Sequence, residues 1–124
     1  MTRGEELLVF EHRDYPDAGL QVPAGRIDPG ESLEEGLARE LDEEVGVAAR
    51  IVRDLAQVTR DHGEPVGTYE SHYFHLVTNE PRDAWEHVVH GDGDDAGLVF
   101  VCRFVPRTPP PALAGNQGEF LPLL

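Results

Sequence analysis

With 124 residues, the chain is long enough to build one domain around a hydrophobic core and too short for two. Its formal net charge of −14 argues against a broad basic groove for nucleic acid and against docking on anionic lipid. A polyanionic small molecule is not excluded as a ligand, because bound divalent cations reverse the local electrostatic field. We therefore expect a single domain over residues 1–124, with nucleic acid and membrane disfavoured as partners.

The cysteine content and the hydropathy pattern bear on the cellular compartment. Cys102 is the one cysteine, which rules out an internal disulfide and fits a reducing compartment. No apolar run approaches the roughly 20 residues that a membrane-spanning helix needs, and the first residues lack the pattern of a secretory signal peptide. We expect a cytoplasmic protein.

In chain order, the first elements are a strand and a helix separated by a loop. The apolar run at residues 7–10 predicts a short strand, and Pro23 favours extended backbone at Val22. Ser32 and Glu35 have the spacing of a capping box, which predicts that a helix begins there. Apolar residues recur at helical spacing over residues 33–45, and Gly46 is placed to end the helix.

The second half of the chain reads mainly as strands. We expect strands at residues 50–59, 71–78 and 97–105, the last of which is nearly continuous in apolar residues and resembles a central strand. The polar, acidic and histidine-bearing residues 79–97 predict a long loop, and long loops in compact domains are often functional. Near the carboxyl end, the pattern predicts a short helix from about residue 111 to 121.

The residues best suited to metal binding lie in the segment GRIDPGESLEEGLARELDEEVGV, residues 25–47. It holds eight carboxylates and only two arginines, and three of its acids, Glu40, Glu43 and Glu44, fall on one side of the predicted helix. Like charges in such proximity repel, and more strongly when they are desolvated. Mg²⁺ and Mn²⁺ prefer oxygen ligands, so a divalent cation would neutralise the cluster. A solvated acidic helix face with ion pairs such as Arg39–Glu43 is the ordinary alternative.

The spacing of the whole segment decides between these interpretations. Gly25 is followed after five residues by Glu31, and after seven more by the run Arg39-Glu40-Leu41-Asp42-Glu43-Glu44-Val45-Gly46-Val47. This pattern resembles the Nudix box of the Nudix hydrolases at every defining position. The order of strands, loop and helix around it is also similar to that family across most of the chain.

The resemblance implies an α/β (α+β) fold, a Nudix-type α/β/α sandwich with a central mixed β-sheet. It implies a hydrolase that uses Mg²⁺ or Mn²⁺ to cleave a nucleoside diphosphate linked to another group X, by attack of water on phosphorus. By the same resemblance, Gly25, Glu40, Glu43 and Glu44 are the metal ligands. The catalytic set would then be Glu43 and Glu44, with Arg39 orienting the neighbouring acids and Glu31 bracing the loop against the helix.

Two features depart from the family pattern. Ala24 stands where a second glycine is common, which narrows the backbone angles open to the loop. The family also has a further strand before the one at residues 7–10, and we expect that first strand to be lacking here. There are three alternatives: the sheet is short at this point, the start site lies upstream, or another subunit in a homodimer supplies the pairing.

Outside the box, the assignments are open. The catalytic base varies within the family, so Glu43, Glu44 and Glu86 are all candidates. In the later loop we expect Glu86, His87 or Asp92 to reach the substrate or the metal, against the alternative of a solvated loop. The rival function is a catalytically inactive nucleotide-sensing or protein-interaction module on the same fold. Against it stands the self-repelling glutamate cluster, which such a module has little physical reason to retain.

Overall fold

The computed structural model describes residues 1–124 and contains one α-helix and six strands. The helix is α1 (Leu33–Glu44), and short 3₁₀ turns cover Pro16–Ala18 and Leu121–Leu123. The strands are β1 (Thr2–Arg3), β2 (Glu6–His12), β3 (Arg50–Asp61), β4 (Thr68–Val77), β5 (Ala84–Val88) and β6 (Val99–Pro106). The helix, β2, β3, β4 and β6 lie where the sequence predicted them, to within a few residues.

All six strands form one sheet in the order β3-β4-β1-β2-β6-β5. Every neighbouring pair is antiparallel except β1 and β4, which run parallel, so the sheet is mixed as predicted. β1 is only two residues long, and it is the strand that joins the β3-β4 half to the β2-β6-β5 half. The two halves of the sheet therefore meet through very few backbone hydrogen bonds.

The helix begins and ends as its sequence dictates. The Ser32 side chain accepts a hydrogen bond from the Glu35 backbone N–H, and the Glu35 carboxylate accepts one from the Ser32 N–H, which completes the predicted capping box. At the other end, Gly46 has a φ of 68°, a left-handed conformation that glycine adopts without strain. Both ends of α1 are thus specified by residues close to them in the sequence.

The core lies between α1 and one face of the sheet. Leu41 and Val45 of the helix pack in one cluster with Phe10, Phe100 and residues of the neighbouring strands. The rings of Phe10 and Phe100 stack with centroids 4.2 Å apart, and both are essentially inaccessible. The N-terminal part of the predicted apolar stripe is less buried, since Leu33 is 39% exposed. The carboxyl half of α1 is therefore the half that the core holds in place.

Two predictions about the second half of the chain are wrong. Residues 79–97 are not one loop, because residues 84–88 form strand β5 at the edge of the sheet beside β6. Its alternation of exposed and half-buried side chains is the strand period, hidden among polar residues. The helix expected at residues 111–121 does not form either. Turns and the 3₁₀ segment Leu121–Leu123 take its place, on the sheet face opposite α1, where Phe120 contacts Tyr73.

The strand predicted at residues 7–10 is the second strand of the sheet and not the first. β1 precedes the strand that covers residues 7–10, and it pairs with β2 through Thr2 and Arg3. That the family's usual first strand is lacking here stays a prediction. No helix in the structure has both the length and the apolar character needed to span a membrane.

We predict that Phe100→Ala lowers the free energy of unfolding by about 3–5 kcal/mol, because it leaves a cavity beside Phe10 at the centre of the core. The matched control is Val88→Ala on the neighbouring strand, where the side chain is 60% exposed and the change should stay within about 0.5 kcal/mol. Urea unfolding followed by tryptophan fluorescence measures both variants. Equal stability of the two would contradict the packing described.

Candidate active site

The three predicted metal-binding acids lie together on the carboxyl half of α1, at the border of its packed face. Glu44 is 7% exposed, and the side chains of Glu40 and Glu43 are each 17% exposed. An ordinary solvated helix face would leave these carboxylates in water, as it does Asp42, which is 73% exposed. The arrangement thus holds three acids in a partly dehydrated environment.

Arg39 binds two of these acids and the loop before the helix. Its Nη1 donates to Glu40 Oε1 at 2.9 Å and to Glu43 Oε2 at 3.2 Å. Its Nε donates to Glu31 Oε2 at 2.7 Å, and its Nη2 donates to the Arg26 carbonyl at 2.7 Å. These partners, Glu31 above all, raise the pKa of the guanidinium further above its usual value. All three nitrogens of Arg39 are therefore used in holding the loop and the acids together.

Glu31 connects the loop before α1 to the helix through its hydrogen bonds. Besides Arg39, its Oε1 accepts a hydrogen bond from the Asp28 backbone N–H at 2.8 Å. The hydrogen bond from Arg39 lowers the pKa of Glu31, with a further contribution from the Asp28 N–H. The carboxylate is consequently ionised at neutral pH and fixed in place.

Gly25 lies directly against the carboxylate of Glu40. A Cβ atom built on Gly25 would stand 2.0 Å from Glu40 Cδ, a distance that no side chain permits. The next residue back, Ala24, donates its backbone N–H to Glu44 Oε1 at 3.1 Å. The loop backbone thus lies directly against the carboxylates of Glu40 and Glu44, and the contribution of the Gly25 carbonyl to a metal site stays a prediction.

Glu44 is the most perturbed acid of the cluster. Burial raises its pKa to about 8, the negative charges of Glu40, Asp95 and Glu43 add to the rise, and the Ala24 N–H opposes it. Burial also raises the pKa of Glu40. A carboxylate in such surroundings needs either a proton or a nearby cation.

The donor set fits a hard divalent cation, although the side chains are not arranged as a finished coordination sphere. No three His, Cys, Asp or Glu side chains converge closely enough to hold a metal together. The reason is visible in the contacts, because Arg39 holds Glu40 and Glu43 while Glu44 is bonded to Ala24. Carboxylate and carbonyl oxygens are nevertheless the ligands that Mg²⁺ and Mn²⁺ prefer. Each of the three carboxylates uses one oxygen in these contacts, so Glu40 Oε2, Glu43 Oε1 and Glu44 Oε2 are left for a cation.

The end of α1 is held by side chains from β5 and the residues that flank it. His87 Nε2 lies 2.9 Å from the Glu43 carbonyl, and Trp85 Nε1 donates to the Val45 carbonyl at 2.9 Å. Arg82 Nη2 donates to the Gly46 carbonyl at 3.3 Å, and the His90 backbone N–H donates to the backbone carbonyl of Glu43 at 3.1 Å. These groups satisfy carbonyls that every helix leaves unpaired at its carboxyl end, and so they fix the turn that carries Glu43 and Glu44.

Glu86 and His87, which we expected to contact substrate, lie on opposite faces of β5. His87 points toward α1, whereas the Glu86 side chain is 58% exposed on the other face and lies 3.7 Å from Arg13 Nη1. The two residues therefore cannot bind one group together, and a substrate contact by either one stays a prediction. The structural contact of His87 is with the helix end.

Sequence reasoning overlooked two residues of the loop that follows β5. Gly91 has a φ of 99°, and a Cβ built on it would lie 2.4 Å from Glu43 Cδ, so this loop passes directly over the acid cluster. Asp95, and not Asp92 that was singled out from the sequence, is the loop acid whose charge raises the pKa of Glu44, although both residues are exposed. The available signal was the glycine-rich, acidic composition of the loop, which did not show which acid acts on Glu44.

Comparison with known proteins gives one match over the full chain and several partial ones. A sequence model of the NUDIX domain matches residues 1–124. The chain is 45% identical over 47 residues to the NAD-capped RNA hydrolase NudC of Stutzerimonas stutzeri (38% of this chain, 17% of the relative). It is 42% identical over 69 residues to the RNA pyrophosphohydrolase of Erythrobacter litoralis (53% and 40%).

A third relative comes from Bacillus subtilis and is provisionally named as an 8-oxo-dGTP diphosphatase. It is 39% identical to the chain over 51 residues, which are 41% of the chain and 33% of the relative. The chain thus spans less than half the length of each of these curated relatives. The similarity to these three relatives covers 47 to 69 residues and not the whole length of either protein.

The raised pKa of Glu44 predicts how the stability of the metal-free protein depends on pH. The folded-state pKa of about 8 lies above the ordinary value of 4.5. The stabilising contribution of Glu44 to the free energy of unfolding is therefore fully present below about pH 4.5 and is lost as pH rises through 8. Glu44→Gln removes the titration while keeping the acceptor for Ala24. We expect this variant to exceed the parent in stability by on the order of 1–3 kcal/mol near pH 9, with a much smaller difference near pH 5.

Chemical unfolding in the presence of a chelator measures this difference. Asp42→Asn is the matched control, because it removes an exposed acid from the same helix. It should show no comparable change between the two pH values. A Glu44→Gln variant that is less stable than the parent at high pH would contradict the burial of an unfavourable charge at this position.

Proposed function

Because the chain belongs to the Nudix family, we propose that it is a metal-dependent pyrophosphohydrolase that cleaves a nucleoside diphosphate linked to a second group X. The observation that carries the proposal is the set of three partly dehydrated acids on α1 beside Gly25, two of which are held by a single arginine. A scaffold that only had to be stable would gain by losing these acids, since each costs desolvation energy. Their presence is explained if a cation binds among them.

The metal in this proposal is Mg²⁺ or Mn²⁺, and its ligands are Glu40, Glu43, Glu44 and the carbonyl of Gly25. When bound, such an ion neutralises phosphate charge and lowers the pKa of a water that attacks phosphorus. Arg39 and Glu31 position the ligands and do not contact substrate. The contacts of Arg39 with both Glu40 and Glu43 support this role, because one rigid guanidinium sets the spacing of two carboxylates.

The catalytic base in this proposal is Glu43 or Glu44 rather than Glu86. Glu86 lies on the face of β5 away from α1 and is associated with Arg13. A base must reach the attacking water by hydrogen bond, and only the helix acids lie near the loop backbone at Gly25. Gly91 of the loop after β5 lies directly against the carboxylate of Glu43.

We favour a small nucleotide derivative as the substrate class. All ten basic residues are arginines, and seven of them form ion pairs with acids of the chain, namely Arg3, Arg13, Arg39, Arg60, Arg82, Arg103 and Arg107. Few cations are left to follow an RNA backbone. Arg26 has no acidic partner, lies next to Gly25 and stacks 5.3 Å from the Tyr69 ring centre, so it is available to a substrate phosphate.

The pyrophosphate at the 5′ end of RNA is the second candidate substrate. Two relatives carry names that refer to RNA, one as a pyrophosphohydrolase and one as a hydrolase of NAD-capped RNA. Such an enzyme needs to hold only the terminal nucleotides, which weakens the objection from the net charge of −14. A cluster of arginines near the site would favour this substrate more strongly, and Arg26 alone does not form one.

A substrate panel with Mg²⁺ or Mn²⁺ tests the proposal and separates the candidates. The panel contains nucleoside triphosphates, nucleotide sugars, dinucleotides and a short RNA with a 5′-triphosphate, with released phosphate or pyrophosphate as the readout. We expect turnover of at least one small nucleotide derivative and slower turnover of the RNA. Absence of turnover across the panel, together with no metal binding by calorimetry, would favour the inactive nucleotide-sensing module instead.

We predict that Glu44→Gln lowers kcat by at least about 100-fold while the fold stays intact, because it removes one charged metal ligand. Far-ultraviolet circular dichroism checks the fold. Asp42→Gln, on the exposed side of the same helix, serves as the control and should retain activity. An unchanged rate in Glu44→Gln would show that the acids of α1 do not form the metal site.

A second prediction concerns Gly25. A methyl group at this position would displace the flexible carboxylate of Glu40, so Gly25→Ala should lower the affinity for Mn²⁺ by about 10–100-fold with a stability change below about 1 kcal/mol. Gly93→Ala is the matched control, since a Cβ there meets nothing within 4 Å. Calorimetric titration with Mn²⁺ measures both. Equal affinity in the two variants would contradict a metal site beside Gly25.

A further inference from the structure

The loop of residues 20–25, which we call the Gly25 loop, is held in part by a side chain from a distant segment of the chain. The Val22 backbone N–H donates to Gln117 Oε1 at 2.7 Å, and no backbone carbonyl accepts from it. The two residues are 95 positions apart, so only the folded chain brings them together. A partly buried N–H that loses its acceptor is costly, and this hydrogen bond therefore specifies where the loop lies.

The neighbouring amides of the Gly25 loop bind to other elements. The Gln21 N–H donates to the Phe10 carbonyl of β2 at 2.9 Å, and the Ala24 N–H donates to Glu44 Oε1 of α1 at 3.1 Å. Pro23, between them, has no N–H to donate. The loop is therefore held by β2 at one point and by α1 at another, and the distant glutamine supplies the contact between these two points.

The segment that carries Gln117 is itself anchored on the sheet face opposite α1. Phe120 packs edge-on against Tyr73 of β4 with ring centroids 4.6 Å apart, and Glu119 forms an ion pair with Arg60 of β3. The position of Gln117 is therefore set by β3 and β4. Its hydrogen bond connects the Gly25 loop to that half of the sheet, whereas the other backbone contacts of the loop are with β2 and α1.

Local restrictions on the backbone carry this constraint from Val22 to Gly25. A residue that precedes proline is confined to extended conformations, and the ring of Pro23 fixes its own φ. Once the Val22 N–H is fixed, few free rotations are left before Gly25. The backbone of Gly25 lies directly against the carboxylate of Glu40, so a shift at Val22 would change the distance between the loop and the acids of α1.

We propose that Gln117 is a positioning residue of the candidate metal site, because its side-chain oxygen holds the Gly25 loop at the distance from α1 at which the Gly25 carbonyl and the helix acids bind one cation. This inference rests on the proposed function, since it concerns the metal site assigned there. Gln117 acts through the Val22 N–H and is not itself a ligand. The hydrogen bond does not involve the cation, so the proposal also makes a prediction for the metal-free protein.

The test compares variants of the full chain. Gln117→Met keeps the length of the side chain and removes the oxygen that accepts from Val22, whereas Gln117→Glu keeps an acceptor oxygen at the same place. Asn116→Met is the matched control, because it makes the same change at an exposed neighbour. Amide hydrogen exchange is measured in the presence of a chelator at Val22, at Ala24 and at Gln21. Calorimetric titration measures the affinity for Mn²⁺.

We expect Gln117→Met to speed exchange at Val22 and Ala24 by at least about 10-fold and to leave Gln21, which is held by β2, within about 2-fold of the parent. It should also weaken Mn²⁺ binding by about 10-fold, as the loss of a residue that orients metal ligands typically does. Gln117→Glu should restore both properties, and Asn116→Met should match the parent.

Unchanged exchange at Ala24 in Gln117→Met would overturn the proposal. So would acceleration at Gln21 equal to that at Ala24, because the variant would then be destabilised as a whole. Failure of Gln117→Glu to restore exchange at Ala24 would show that the acceptor oxygen is not what holds the loop. A parent chain that binds no Mn²⁺ contradicts the proposed function and this inference with it, whereas equal Mn²⁺ affinity in the parent and Gln117→Met overturns only the role of Gln117.

Discussion

The site depends on one guanidinium. Arg39 binds Glu31 and the Arg26 carbonyl of the loop while it binds Glu40 and Glu43 of the helix, so one planar group sets the distance between the two elements. Its charge also offsets part of the repulsion among acids that burial would otherwise make prohibitive. Glu44 has no contact with Arg39, and its pKa of about 8 shows what burial does to a carboxylate of this cluster that lacks such a partner.

The rest of the domain fixes the position of Arg39 by holding both ends of α1, the helix that carries it. At its start, α1 is held by the capping box of Ser32 and Glu35, and at its end by Trp85, His87 and Arg82 from the β5 region. Between them, Leu41 and Val45 anchor the helix to the core. The contacts of α1 thus become more extensive toward the end that carries the acids. The opposite end has fewer such contacts, since Leu37 lines a cavity and Leu33 is partly exposed.

The elements that local sequence determines were predictable, and those that depend on distant pairing were not. The capping box, the end of the helix at Gly46 and the burial of Glu44 all follow from spacings within residues 25–47. β5 was missed because its alternation is carried by Trp85 and His87 amid charged residues, and its pairing with β6 lies outside any local window. The contact of Gly91 with Glu43 and the effect of the Asp95 charge on Glu44 depend on how the loop after β5 folds back toward α1. No residue type in that loop distinguishes Asp95 from Asp92.

Direct observation of Mn²⁺ binding tests the central claim most simply, because Mn²⁺ free in solution has an electron paramagnetic resonance signal that is lost on coordination. Titration of the protein into Mn²⁺ at neutral pH should remove this signal at one or more sites, and Mg²⁺ should restore it by competition. Conversion of both Glu40 and Glu44 to glutamine should abolish the effect. If the full chain leaves the free Mn²⁺ signal unchanged at millimolar protein, the acids of α1 are not a metal site and the account of them given above is wrong.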